Sequence, residues 1–295
     1  MPLNSILGTE LYCWYQEAKL AALANNIDSN ELSWLLQTVT SLDKLALSLG
    51  TFPQQQIDSS RSLSELNRLW QQRLQERLPV QYLVETAYWR RFQLKVTPAV
   101  LIPRPETELI IDLAQKNNLV TATQQHWVDL GTGSGAIALG LADVFPQATV
   151  HAVDLSLDAL KVARENAISL NFADRIHFYQ GSWWNPLESY PRKIAGMLAN
   201  PPYIPTAQIN KLQPEVADHE PHLALDGGED GLDDIRSLIQ TAPEYLVSGG
   251  IWLIELMAGQ ADTVAELLKQ QGKYYNIKIF PDLSGIQRFV LAYRC

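Results

Sequence analysis

Only two cysteines occur in 295 residues, and they stand near opposite ends, at Cys13 and Cys295. Thiols so placed form neither a metal-ligand spacing nor a disulfide framework, which suits a reducing compartment. No apolar run approaches the ~18 residues a helix needs to cross a bilayer. The opening segment MPLNSILG has neither a basic n-region nor a cleavable apolar stretch. The expectation is a soluble, unexported, cytoplasmic protein. Positive charge is also short: 23 Lys and Arg against 32 Asp and Glu give a formal net charge of −9. That balance argues against a nonspecific nucleic-acid binder, because Lys and Arg on phosphates supply most of such affinity. Internal repeats and low-complexity segments are missing too. What remains is ordinary globular composition, 46% hydrophobic and 19% charged. At ~150 residues per domain, two domains are expected.

Residues 8–78 carry helical signals and no convincing strand. Asp28 or Ser29 can cap a helix around 31–39, and Ser59 or Ser60 can cap one running through Arg77. In the latter, Leu63, Leu66, Leu69, Trp70 and Leu74 recur at three- and four-residue spacing, an apolar stripe that reads as domain core rather than a partner groove. Between Tyr82 and Pro105 the pattern changes to short β-like runs, 92–96 and 99–102, joined through Thr97-Pro98 as a hairpin linker. From about Glu106 onward strands at 126–130, 149–153, 175–179, 194–199 and 250–255 alternate with helices, which implies a mostly parallel sheet covered on both faces. Two final strands, 274–280 and 287–293, are joined by too short a link for a parallel crossover and should pair antiparallel. The predicted organisation is a helical domain over 1–80, a β-hairpin linker over 81–105 and an α/β domain over 106–295.

Trp127-Val128-Asp129-Leu130 reads as a strand that runs into Gly131-Thr132-Gly133-Ser134-Gly135, with a helix starting at Ala136. Glycines let the backbone turn tightly and let a ligand approach where a Cβ would intrude. The next strand ends in Asp154, placed where a carboxylate accepts hydrogen bonds from both ribose hydroxyls. This pattern also satisfies the loose dinucleotide fingerprint, so it fixes a nucleotide-type fold before it fixes a cofactor. The tight glycine spacing, Asp129 ahead of the loop and the antiparallel final pair lean toward S-adenosylmethionine.

The strand 195–199 then delivers Asn200-Pro201-Pro202-Tyr203 to the carboxyl edge, where open α/β sheets bind ligands. A proline-stiffened turn is the plain alternative, since Asn-Pro is a common turn opener. Beside a glycine loop and Asp154 the tetrapeptide reads instead as a site for methylating an amino or amide nitrogen. A carboxamide nitrogen is a poor nucleophile and must be oriented. The Asn200 side-chain carbonyl and the Pro201 backbone carbonyl can grip the two protons of one NH₂, positioning worth about 7–11 kcal/mol. Consecutive prolines stiffen the grip beforehand, and Tyr203 offers a ring to cover the planar amide. No strong general base is required, because the alkylated amide nitrogen is acidic enough to lose its proton to water. No metal ligand set is apparent.

These residues resemble the glutamine methyltransferase family called PrmC or HemK, and the resemblance covers almost the whole chain. Gln81-Tyr82-Leu83 and 101–108 (LIPRPETE) look like its linker motif, and 131–135, Asp154 and Asn200 to Tyr203 like its cofactor and substrate sites. His219-Glu220-Pro221, 227–232 (GGEDGL), Glu255 and the Asp282, Gly285, Arg288 spacing also fit. The resemblance implies a seven-stranded Rossmann-like methyltransferase domain, a helical N-terminal domain that helps embrace the substrate protein, and S-adenosylmethionine as donor with S-adenosylhomocysteine as product. It implies N5 methylation of the glutamine in the Gly-Gly-Gln loop of class-1 peptide-chain release factors, which supports translation termination, with no membrane partner and no nucleic-acid substrate. Catalytic and substrate positions are then Asn200, Pro201, Pro202 and Tyr203; cofactor positions are Gly131, Thr132, Gly133, Ser134, Gly135, Asp154, Trp183 and Asn200. Two positions depart from the family: Ser182 stands where an acid often meets the adenine amino group, leaving Trp183 to stack on adenine, and Glu85 stands where a linker glycine is usual. Rival readings are glutamine methylation of a ribosomal protein, DNA adenine methylation on a flipped base, and a non-catalytic cofactor-binding docking module.

Overall fold

The computed structural model describes residues 4–121 and 125–295. The chain divides into two compact units between Thr86 and Ala87, inside the segment expected as linker. The first unit holds helices α1 (Gly8–Ala24), α2 (Ser29–Val39), α3 (Lys44–Leu49), α4 (Leu63–Glu76) and α5 (Val80–Leu83), with strands β1 (Asn4–Leu7) and β2 (Gln56–Ser59). Those strands correct the all-helical expectation. They pair antiparallel, with Ile6 opposite Ile57, across about fifty residues of intervening chain, so neither is legible from local pattern. The cap of α4 is also corrected: Ser62, not Ser59 or Ser60, accepts from Glu65 N, and Glu65 reaches back to the Ser62 amide in a capping box. Ser59 is buried and instead donates to Arg61 O. The α4 stripe is core, with Leu66, Trp70 and Leu74 packed against Leu11, Leu32 and Leu36. Arg73, buried on the same helix, makes a two-pronged bond to Glu31 at 2.6 and 2.8 Å.

The second unit begins at the hairpin β3 (Thr86–Trp89) and β4 (Phe92–Lys95), which corrects the expected hairpin at 92–102. The connection is Arg90-Arg91, not Thr97-Pro98. Arg90 takes a left-handed backbone (φ 51°) without being glycine. Glu108 accepts its amide at 2.7 Å, and its guanidinium donates to Glu108 O and to Asp112. Contacts from the next helix therefore hold a turn that carries no local turn signal. Residues 97–100 still turn, through Val100 N to Thr97 O, but 99–102 form no strand.

Strands β5 (His126–Leu130), β6 (Thr149–Asp154), β7 (Ile176–Gln180), β8 (Ile194–Ala199), β9 (Leu246–Glu255), β10 (Tyr274–Pro281) and β11 (Gln287–Arg294) form one sheet in the order β10-β11-β9-β8-β5-β6-β7. The first five in sequence are parallel, and β11 pairs antiparallel with both β9 and β10. Helices α6 (Leu109–Asn117), α7 (Ala136–Val144) and α8 (Leu157–Ser169) cover one face, and α11 (Asp233–Tyr245) and α12 (Ala261–Gln271) the other; α9 (Thr206–Ile209) and α10 (Pro214–Ala217) are single turns between β8 and β9. Every residue of β8 is buried, as a strand covered on both faces requires. Succession runs from β5 through β6 to β7, then returns to β8 on the other side of β5. The β5 and β8 ends therefore flank the point where strand order reverses, the place such sheets bind ligands. On the α11 face, His126 Nδ1 and His151 Nε2 lie 2.9 Å apart, and His151 Nδ1 lies 3.1 Å from Tyr179 Oη. Burial holds the His151 imidazole down to about 3. No helix among the described residues is long and apolar enough to cross a membrane, and none of their acidic, His or Cys clusters could hold a metal.

Candidate active site

The turn after β5 is built by three left-handed glycines, Gly131, Gly133 and Gly135 (φ 77°, 53° and 85°). They serve different ends. A Cβ on Gly131 would only touch the Trp183 ring, at 3.4 Å, and one on Gly135 would crowd Ala163 of α8 at 3.2 Å, whereas one on Gly133 would project into open space. Gly131 N and Thr132 N both donate to Val153 O at 2.9 Å, tying the turn to the end of β6. Asn166 of α8 clamps it from beneath, donating to Ser134 O and Lys95 O. Asp129 is fully buried under the turn; its Oδ2 accepts from Thr132 Oγ1 at 2.5 Å and Ala138 N at 3.0 Å, while Oδ1 has no partner. Removal from water pushes its carboxyl up to about 7.

Asp154 accepts from Gly133 N (2.8 Å) through Oδ2 and from Ser156 N (2.9 Å) through Oδ1. Burial raises it, and these bonds oppose the rise. The Leu155 amide also bonds the carboxylate, which still keeps acceptor capacity for a hydroxyl donor. Beyond it opens a cavity of about 260 Å³ lined by Gly131, Thr132, Gly133, Ser134, Asp154, Trp183, Asn200 and Pro202 among others. Of the residues expected to bind cofactor or substrate, Gly135, Pro201 and Tyr203 are not in this lining. Gly135 sits at the N-cap of α7 and packs that helix on α8.

At the end of β8, Asn200 Nδ2 points to Thr107 Oγ1 at 3.5 Å, a weak contact, and Asn200 Oδ1 has no partner among the described residues. The Pro201 carbonyl likewise accepts no hydrogen bond among the described residues. The two acceptors expected to grip an amide are thus both available. Gln260 holds the tetrapeptide from behind, donating to Tyr203 O at 3.0 Å and Gly231 O at 3.3 Å. Downstream, Ile204 N donates to Leu225 O and Gly227 N to Ile204 O, stitching the tetrapeptide's exit to the 225–228 loop. Glu255, at the end of β9, is buried with the Thr107 and Tyr203 hydroxyls beside its carboxyl, which desolvation pushes up to about 7. Burial and the neighbouring Glu255 raise the Tyr203 hydroxyl. Arg104 pairs with buried Glu220 at 2.5 Å, joining the 101–108 segment to the loop at 219–221. At the β10–β11 turn, Asp282 accepts from Ser284 N, Ile286 N and Arg288 Nε, which ties the strand ends beside Glu255.

Sequence reasoning missed Thr107, Asn166, Asp234 and Gln260 as supports. Asp234, in the first turn of α11, accepts the Trp183 indole N–H at 3.0 Å. None has a spacing motif linking it to its partner; each acts across 29 or more residues of chain.

A family model described as the methyltransferase small domain matches residues 107–229. A release factor glutamine methyltransferase of Synechocystis sp. is 52% identical over 290 residues, covering 97% of each chain. One from Thermosynechococcus vestitus is 46% identical, covering 97% of this chain and 98% of its own. Among solved structures, the hMettl16 catalytic domain aligns with TM-score 0.56 at 14% identity over 89% of this chain and 91% of its own, a likeness of fold alone.

Proposed function

Because the chain belongs to the release factor glutamine methyltransferase family, we propose that it methylates the side-chain amide nitrogen of the Gly-Gly-Gln glutamine in class-1 release factors, in the cytoplasm, and that its helical unit serves to dock that partner. The methyl donor of this enzyme family is S-adenosylmethionine, whose sulfonium supplies an electrophilic methyl group. The residues present fit it: an open glycine turn at Gly133, a carboxylate at Asp154 with acceptor capacity to spare, and the aromatic wall of Trp183 around one cavity.

The observation that carries the reading of the substrate site is the pair of free acceptors, Asn200 Oδ1 and Pro201 O, on a backbone fixed by two prolines and by Gln260. Two acceptors on one NH₂ orient its nitrogen and raise its electron density. The grip works because it is stiff before the substrate arrives. The Asn200 NH₂ is turned to Thr107, whose hydroxyl lies against Glu255. Tyr203, raised by burial, stays a neutral phenol.

The test offers labelled methyl donor to a release factor, a ribosomal protein and duplex DNA. Label on the Gly-Gly-Gln glutamine is the expected outcome; label confined to the ribosomal protein or DNA would overturn the assignment. Asn200→Ala is expected to abolish transfer while S-adenosylhomocysteine still binds, and an undiminished rate would refute the amide grip.

A further inference from the structure

We propose that Asp234 selects the base of the methyl donor: its free oxygen accepts the exocyclic amino group of adenine while its other oxygen fixes Trp183 as the stacking wall. The inference rests on the cofactor reading above. Asp154, anchored at the glycine turn, places a ribose at the inner end of the cavity, and a base attached to that ribose extends toward the residues that follow. Leu155 and Trp183 both line the cavity. Two such flat or apolar faces suit a purine ring but do not distinguish one purine from another.

The ring edge needs a polar partner to make that distinction, and the lining offers only two carboxylates, Asp154 and Asp234. Asp154 is committed to the ribose end. Asp234 Oδ1 accepts Trp183 Nε1–H at 3.0 Å, and its Oδ2 makes no hydrogen bond among the described residues. The side chain is half-buried, and burial raises its carboxyl, so a half-desolvated acceptor stands without a donor. Trp183 is held at φ 50°, a left-handed backbone that an indole adopts only when its surroundings impose it. The bond to Asp234 is one such constraint, and the Gly131 turn beneath the ring is another. Ser182 also lines this end, but a hydroxyl both donates and accepts and so tolerates an amino or an oxo group alike. A carboxylate accepts only, and it repels the lone pairs of an oxo group.

The experiment is calorimetric titration of the full chain with S-adenosylhomocysteine and with S-inosylhomocysteine, which carries an oxo group in place of the amino group. The wild type is expected to prefer the adenine ligand by roughly ten- to hundredfold, the effect of one charge-assisted bond. Asp234→Ala should bring the two affinities within about threefold, and Asp234→Asn, whose amide donates to the oxo group, should erase or invert the preference. Trp183→Phe should weaken both ligands together and keep their ratio, since it leaves the carboxylate in place. Equal binding of the two ligands by wild type overturns the proposal without any variant, as does a ratio unchanged in Asp234→Ala and Asp234→Asn. Absence of all S-adenosylhomocysteine binding by wild type would instead strike the cofactor reading itself.

Discussion

Replacing Asp129 by asparagine tests whether the glycine turn rests on a carboxyl that is neutral in part at physiological pH. In the folded chain this group titrates at about 7 instead of its ordinary 3.8, because it is fully buried, with one oxygen bonded and one not. A folded pKa raised above the unfolded one gives a contribution that is complete below 3.8 and lost as pH rises through 7. Each pH unit across that window changes stability by about 1.4 kcal/mol. From pH 5 to pH 8 the wild type therefore loses roughly 2–3 kcal/mol at this site alone. Asparagine does not titrate. Its carbonyl can keep the bonds to Thr132 and Ala138, while its NH₂ stands where Oδ1 has no partner, a pH-independent cost of about 1–3 kcal/mol. The variant is expected to gain roughly 2–3 kcal/mol relative to wild type between pH 5 and pH 8. Glu255 and His151 titrate in both proteins and cancel from the difference. Urea unfolding at pH 5, 6, 7 and 8, with the slope checked for constancy, reads this directly. Two parallel stability curves would show that Asp129 is ionised throughout and that the reasoning is wrong.

The glycines make a contrasting pair. Gly133→Ala adds a Cβ that touches nothing within 4 Å, so it should cost only about 1–2 kcal/mol of backbone strain yet weaken S-adenosylhomocysteine binding at least tenfold. Gly196→Ala puts a Cβ 2.2 Å from the buried Trp127 ring and should lower the melting temperature, by about 1–3 kcal/mol or more of overpacking. A Gly133→Ala protein with wild-type affinity would remove the ligand from that turn. His151 has a depressed folded value of about 3 against 6.5, so its contribution is present above pH 6.5 and lost as pH falls toward 3. Between pH 6.5 and 5, His151→Gln should show a stability slope flatter than wild type by about 1.4 kcal/mol per unit; equal slopes would count against a neutral buried imidazole.

Much of the α/β unit was legible because its strands are apolar runs buried on both faces, and 126–130 and 194–199 coincide with β5 and β8. Asn200 and the glycine turn were legible for a related reason: a motif at a strand end inherits its place from the sheet. What escaped depended on partners distant in sequence. Arg90 turns because Glu108 and Asp112 hold it, and β1 exists because β2 lies opposite. Glu85 adopts φ 52°, a left-handed backbone reached without the glycine that would signal it in sequence. Trp183 was expected from its place after Ser182 as the residue that stacks on adenine, but Asp234, which fixes its indole, announces itself only once α11 is folded against the sheet.

The register of the three central strands has a further consequence. Leu130 pairs with Ala199, and Ala199 with Ile254, so the glycine turn, the tetrapeptide and Glu255 each depart from one transverse row of the ladder. Their separation is measured out in strand widths of ~4.8 Å rather than by loop conformation. A sheet cannot slip by a fraction of a residue, since its hydrogen bonds and the inward or outward sense of every side chain change in whole steps. Alignment of donor and acceptor is thus quantised. Warming or mild denaturant that loosens the surrounding loops should leave the surviving molecules fully aligned, and activity should decline with the number of intact sheets rather than through a continuum of poorly aligned ones.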